Sequence, residues 1–143
     1  MILSKNKVKL NRNFLDMKEE IKRRSKQFAI AIIKMTESLP RKNSTFVVSN
    51  QIIKSATSVG ANYRSSLRGR SKAEFIAKLG IVVEEIDETL YWLEIIFESE
   101  LATQETIKPL WQEANELTSI FVSMLKTAKL NHSKAISERN LKS

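Results

Sequence analysis

The sequence contains no cysteine, which excludes a disulfide framework and any thiolate metal site and fits a reducing compartment. Glycine and proline are scarce too, with three and two in 143 residues. So little punctuation suits long helices and argues against a sandwich or barrel. The longest apolar run, Phe28 to Ile33, is six residues, far short of the roughly 20 that a membrane span needs. The opening MILSKNKVKLNRN is charged from Lys5 onward and lacks an apolar h-region, so no signal peptide is expected. Together these absences predict a soluble, cytoplasmic protein.

One domain fits this length, long enough to bury roughly 68–70% of the surface that the unfolded chain exposes. Net charge is +8, but it is unevenly spread. Residues 1–40 and 41–71 each carry +6, residues 72–101 carry −6, residues 102–130 balance, and 131–143 add +2. A chain so divided has a basic side and an acidic side, which suits polyanions or contact between subunits.

Apolar residues recur at spacings of three and four in four segments, the mark of one buried helix face each. In the first, Ile21, Phe28, Ile32, Met35 and Leu39 form the stripe, starting near Asn13 or Phe14 and ending at Pro40. The second runs from about Thr45 to Ser66 through Val48, Ile52, Ala56, Val59, Tyr63 and Leu67, with Asn43 or Ser44 as the expected N-cap. The third runs from Lys72 to about Ser99 on Phe75, Leu79, Val82, Ile86, Leu90, Leu93 and Phe97. A capping box, Ser71-Lys72-Ala73-Glu74, opens it, with the Glu74 carboxylate expected to return to the Ser71 N–H. The fourth follows Thr103 and carries Ile107, Leu110, Ala114, Leu117, Phe121, Met124 and Ala128, with a kink or fresh start expected at Pro109. The predicted fold is all-α: an up-down-up-down four-helix bundle over 14–130, between a flexible basic arm (1–13) and a polar tail (131–143).

Two further patterns lie beside the stripes. Gln51, Ser55, Ser58, Asn62 and Ser66 form a polar row on the second helix. Such residues compete for backbone hydrogen bonds, so their alignment reads as a seam toward a neighbouring helix or as a polar groove for a ligand or nucleic acid. On the third helix, Ile81, Trp92 and Ile95 share a second face, which points to a partner subunit. Catalytic constellations are missing. His132 sits in the polar tail, no Glu-x-x-His pair is present, Glu84 and Glu88 belong to the acidic solvent side, and no glycine-rich phosphate loop occurs. The reading is a non-enzyme with no cofactor and no metal.

The stretch Gln51-Ile52-Ile53-Lys54-Ser55-Ala56-Thr57-Ser58-Val59-Gly60-Ala61-Asn62, followed by Arg70-Ser71, Glu74-Phe75, Glu84-Glu85 and Glu88-Thr89-Leu90-Tyr91-Trp92-Leu93, resembles the bacterial four-helix-bundle proteins encoded in intervening sequences of 23S ribosomal RNA genes. The resemblance covers roughly Phe28 to Leu125. It implies a homo-oligomer, typically a pentamer, with no assigned catalytic activity. A more distant cousin, the basic pentameric accessory protein of diversity-generating retroelements, implies nucleic acid and a reverse transcriptase as partners. Many relatives carry an acid shortly after the Ala-Asn pair, where this chain has Ser65-Ser66, so any polar network built on that carboxylate is changed here.

Charge and resemblance together predict an oligomer whose basic face, Lys22, Arg23, Arg24, Lys26, Arg41, Lys42, Arg64, Arg68 and Arg70, contacts nucleic acid through phosphates. No recognition helix supports base-specific readout. The alternative is an adaptor whose basic face docks an acidic partner protein.

Overall fold

The computed structural model describes residues 2–142, which form four helices in sequence: α1 (Ile2–Glu37), α2 (Asn43–Leu67), α3 (Lys72–Glu98) and α4 (Gln104–Lys142). Each helix packs on its neighbours in the order α1, α2, α3, α4 and back to α1, and the diagonal pair α2 and α4 meets through core side chains, Tyr63 against Phe121. The seam between α2 and α3 is the most extensive and that between α1 and α4 the thinnest. This is the four-helix bundle that the periodicity predicts.

The core is built from the predicted stripes. Ile32, Ile52, Leu79, Ile86, Leu93, Ile96 and Leu117 have no exposed surface, and burying each such side chain stabilises the fold by roughly 1.5–3 kcal/mol. Tyr63 and Phe121 stack across the core with ring centroids 5.4 Å apart. Leu67, Phe75, Leu90, Leu110 and Met124 lie at the core's edge, and the end of the α3 stripe is corrected: Ile96 is fully buried in the place expected for Phe97, which is 44% exposed.

Turns follow local chemistry. At the α2–α3 corner, a Cβ on Gly69 would stand 3.1 Å from the Ser66 carbonyl oxygen and 3.3 Å from the Phe75 amide nitrogen, closer than ordinary side chains allow. Ser71 then caps α3, its hydroxyl accepting from the Glu74 N–H at 3.1 Å. The return bond differs from the expected box: the Glu74 carboxylate accepts from the N–H of Arg70, one residue earlier. At the end of α3, Glu100 takes φ 60°. The N–H of Leu101 bonds back to Ile96 and that of Glu100 to Phe97, a helix-ending motif that usually places glycine at the left-handed position.

Three expectations need correction. Neither Asn43 nor Ser44 caps α2; the helix starts at Asn43, after Lys42, with no side-chain cap. Pro109 starts nothing new, because α4 runs through it from Gln104. Its missing N–H forfeits one bond, to the carbonyl of the exposed Glu105, which solvent can satisfy. Most consequential, the segments marked as arm and tail are helical: α1 begins at Ile2 and α4 continues to Lys142, with Met1 and Ser143 outside the described residues. Their polar sequence hides the helix from a periodicity test, yet neither contains glycine or proline to stop one.

Candidate nucleic-acid interface

The nine basic residues singled out in the sequence are not gathered into one patch. Arg41 and Lys42 lie in the α1–α2 loop, while Arg64, Arg68 and Arg70 lie at or beyond the last turn of α2. A 25-residue helix separates them, about 37 Å at 1.5 Å per residue. Three of the four on α1 are engaged within the chain. Lys22 pairs with Glu19 at 3.3 Å and Arg23 with Glu20 at 2.7 Å. The hydrogen bonds from Arg23, aided by its charge, draw the Glu20 carboxyl below its usual range.

Arg24 is tied most firmly. Its guanidinium reaches Glu113 at 2.5 Å and Glu116 at 3.0 Å, with 19% of the side chain exposed. Burial works against its charge, but the two carboxylates outweigh it and its pKa is raised. Geometrically it is a clasp between α1 and α4. Lys26, Arg41, Lys42, Arg64, Arg68 and Arg70 are exposed, or nearly so, and none makes an ion pair among the described residues.

The missed signal is in the helical extensions. Gly60 of α2 faces Ser25 of α1, where a Cβ would meet the Ser25 Oγ at 3.3 Å. Counting along antiparallel helices from there sets Leu67, the last residue of α2, level with about Lys18. Residues 5–17 are exposed without exception, and α4 has no buried residue after Phe121 among the described residues. Both helices therefore run on past the α2–α3 corner, leaving the same end of the bundle.

Residues 1–13 hold four Lys/Arg and no acid, and residues 126–143 hold five and one. Between them, residues 14–125 hold fifteen of each. The whole net charge of +8 thus resides in the extensions, while the bundle proper is neutral. Lys5, Lys7, Lys9, Arg12, Lys126 and Lys129 had no place among the nine candidates. A charge count over the predicted arm (1–13) and tail would have found most of them in the sequence.

The polar row turns toward α3. Ser55 is buried and its hydroxyl accepts from Thr89 of α3 at 2.9 Å; it also donates to its own helix at Ile52. The other members with side-chain bonds point inward along α2: Asn62 donates to the Ser58 carbonyl at 2.8 Å and Ser66 to that of Tyr63 at 2.6 Å. One bond of the row crosses the seam and the rest fold back on the helix.

On α3, helical geometry places Ile81, Trp92 and Ile95 on the flank that carries Thr89 toward α2. All three are half-buried, and Trp92 and Ile95 lean on the core. The Trp92 indole N–H donates to Glu88 at 3.3 Å, and Tyr91, 52% exposed, meets the Trp92 ring edge-on. Beside them burial pushes the Glu85 carboxyl above its usual range, helped by Glu88 and Glu84 and opposed by Lys54. Phe46 and Val47, at the start of α2, are 62% and 60% exposed. His132 is half-buried on the α4 extension, and no group of three or more potential ligands among the described residues is placed to hold a metal ion. No described helix is long and apolar enough to cross a membrane.

Comparison with known proteins identifies the bundle. The sequence model of the 23S rRNA-intervening sequence proteins matches residues 17–123. A crystal structure of a protein of unknown function from the S23 ribosomal protein family of Bacteroides thetaiotaomicron aligns at TM-score 0.70 and 36% identity. The alignment covers 98% of that protein but 74% of this chain. No curated protein matches. The segment matched by the family model stops short of both basic extensions.

Proposed function

The chain belongs to the 23S rRNA-intervening sequence protein family, and from that premise we propose that it is a non-enzymatic, oligomeric protein that binds nucleic acid through its basic end. The carrying observation is the placement of charge: a neutral bundle with all of its net +8 on two helical extensions. The exposed Arg64, Arg68 and Arg70 stand where those extensions leave the bundle, so the corner and the extensions make one basic region. Helices rich in Lys and Arg and poor in acid neutralise phosphates without reading bases. Arg41, Lys42, Lys22, Arg23 and Arg24 contribute less in this reading, being distant or already paired.

Self-association supports the same role. Trp92, Ile95 and Ile81 offer a half-buried apolar flank on α3, and the resemblance implies a ring of five. A ring repeats the basic end and multiplies weak phosphate contacts through avidity. The test is binding of labelled RNA and DNA across a salt series, with sizing of the protein alone. Log affinity is expected to fall with log salt at about 0.7–0.9 per phosphate neutralised, with little preference among sequences. Failure to bind at low salt, with capture of one defined acidic protein after nuclease treatment, would favour the adaptor reading.

A further inference from the structure

Where α1 and α4 pass the α2–α3 corner, the bundle is open. The apolar stripe of α1 continues there as Leu10, Phe14 and Met17, but α2 and α3 have ended, and these side chains are 68%, 54% and 46% exposed. With Met124 and Ile120 of α4 and Leu67 and Phe75 at the corner, Phe14 and Met17 frame a cleft of about 730 Å³. That volume is typical of a small-molecule site, and so is a mostly apolar wall with few polar groups.

The charged groups present are of one kind. Lys18 and Lys72 line the cleft and no acid does. Neither lysine has an ion pair among the described residues, and the Lys18 ammonium rests 4.5 Å from the centre of the Phe14 ring. In the wall lies Tyr63, 1% exposed, whose hydroxyl has no hydrogen-bond partner among the described residues. A largely apolar cleft whose charged groups are two lysines calls for a ligand with an apolar body and an anionic head.

We propose that this cleft binds anionic amphiphiles, specifically long-chain carboxylates, with the chain along Phe14, Met17 and Met124 and the carboxylate on Lys18 and Lys72. Other occupants fit worse. A second copy's extensions would bring like charge against like, nucleic acid cannot fill an apolar trough, and a neutral lipid leaves both ammonium groups unanswered. The proposal is independent of the nucleic-acid reading and uses different lysines.

The experiment is calorimetric titration of the full chain with dodecanoate below its micelle concentration, and with dodecyltrimethylammonium as the same chain of opposite charge. Dodecanoate should bind once per chain with a Kd on the order of micromolar, and the cation should not bind. Lys18→Gln/Lys72→Gln should weaken dodecanoate roughly tenfold or more, because two charge-assisted hydrogen bonds are removed. Thr127→Trp, at an exposed lining position, should block the trough and abolish binding. Changing Lys5, Lys7, Lys9 and Arg12 to Gln should leave it untouched. No heat with dodecanoate, equal binding of the cation, or an affinity that follows the Lys5–Arg12 set instead of Lys18 and Lys72 would each overturn the proposal.

Discussion

Replacing Tyr63 with Phe should make the protein more stable, although it removes a polar group from a well-packed position. Tyr63 is 1% exposed and its hydroxyl oxygen is shielded with no partner among the described residues. A buried hydroxyl in that state has lost its water without compensation, at a cost of roughly 1–3 kcal/mol. The ring itself stacks on Phe121 at 5.4 Å, and a phenylalanine at this position would keep that stacking. Allowing for some relaxation, a gain of about 1–2 kcal/mol, or roughly 3–6 °C in Tm for a chain of this size, is expected. The pH dependence sharpens the test. Burial, with the Glu19 charge adding to it, pushes the phenol from 10.0 up to about 12. The folded chain thus holds this proton more tightly than the unfolded one. That contribution is intact below pH 10 and drains away as pH climbs toward 12, so the Phe variant should gain on the wild type in that window. Urea melts of both proteins at about pH 7 and about pH 11, on either side of the ordinary phenol value, provide the measurement. A Phe variant less stable near neutral pH by about 1 kcal/mol or more, an amount on the order of one hydrogen bond, would mean that the hydroxyl has a partner and would refute the reasoning.

Other perturbations test other joints. Arg24→Ala removes the clasp to Glu113 and Glu116 across the thinnest seam; about 1–2 kcal/mol should be lost, with hydrogen exchange quickening first along the facing turns of α1 and α4. Trp92→Glu sets a charge on the α3 flank and should dissociate the proposed oligomer while circular dichroism stays helical; a wild type already monomeric by light scattering at tens of micromolar would exclude the interface. Glu85→Gln should stabilise at about pH 7 more than at about pH 4, because a carboxyl raised above its unfolded value favours folding only when protonated, and that support is lost as pH rises through its folded pKa. Should Glu85→Gln weaken assembly instead, the carboxylate faces a cation of a neighbouring subunit.

Much of this architecture is legible in the residues. The stripe from Val48 to Tyr63 is buried throughout, because a period of 3.6 commits one face whatever packs on it. Ser71 caps α3 as its sequence neighbourhood implies. What escapes is information that local pattern does not carry. The ends of α1 and α4 lie where polar residues mask the period, so the helical form of the basic arm and the tail could not be seen. Arg41 and Arg68 belong to one acid-free stretch of sequence, yet α2 holds them at opposite ends of the bundle. For Asn62 and Ser66, composition announces a polar row but not that both would bond back to their own helix. The cleft is a consequence of unequal helix lengths, and Tyr63 looks like any other member of its stripe until its hydroxyl is found without a partner.

The central claim is that the basic extensions bind phosphates, and salt dependence measures it directly. Anisotropy of a labelled RNA should be followed from low to moderate salt for the wild type and for Lys5→Gln/Lys7→Gln/Lys9→Gln/Arg12→Gln. The wild type should show a steep slope, and the variant a slope shallower by roughly 3–3.5, about 0.7–0.9 for each of four phosphates no longer neutralised, with circular dichroism unchanged. Identical slopes for the two proteins, or no binding by the wild type at low salt, would contradict the account.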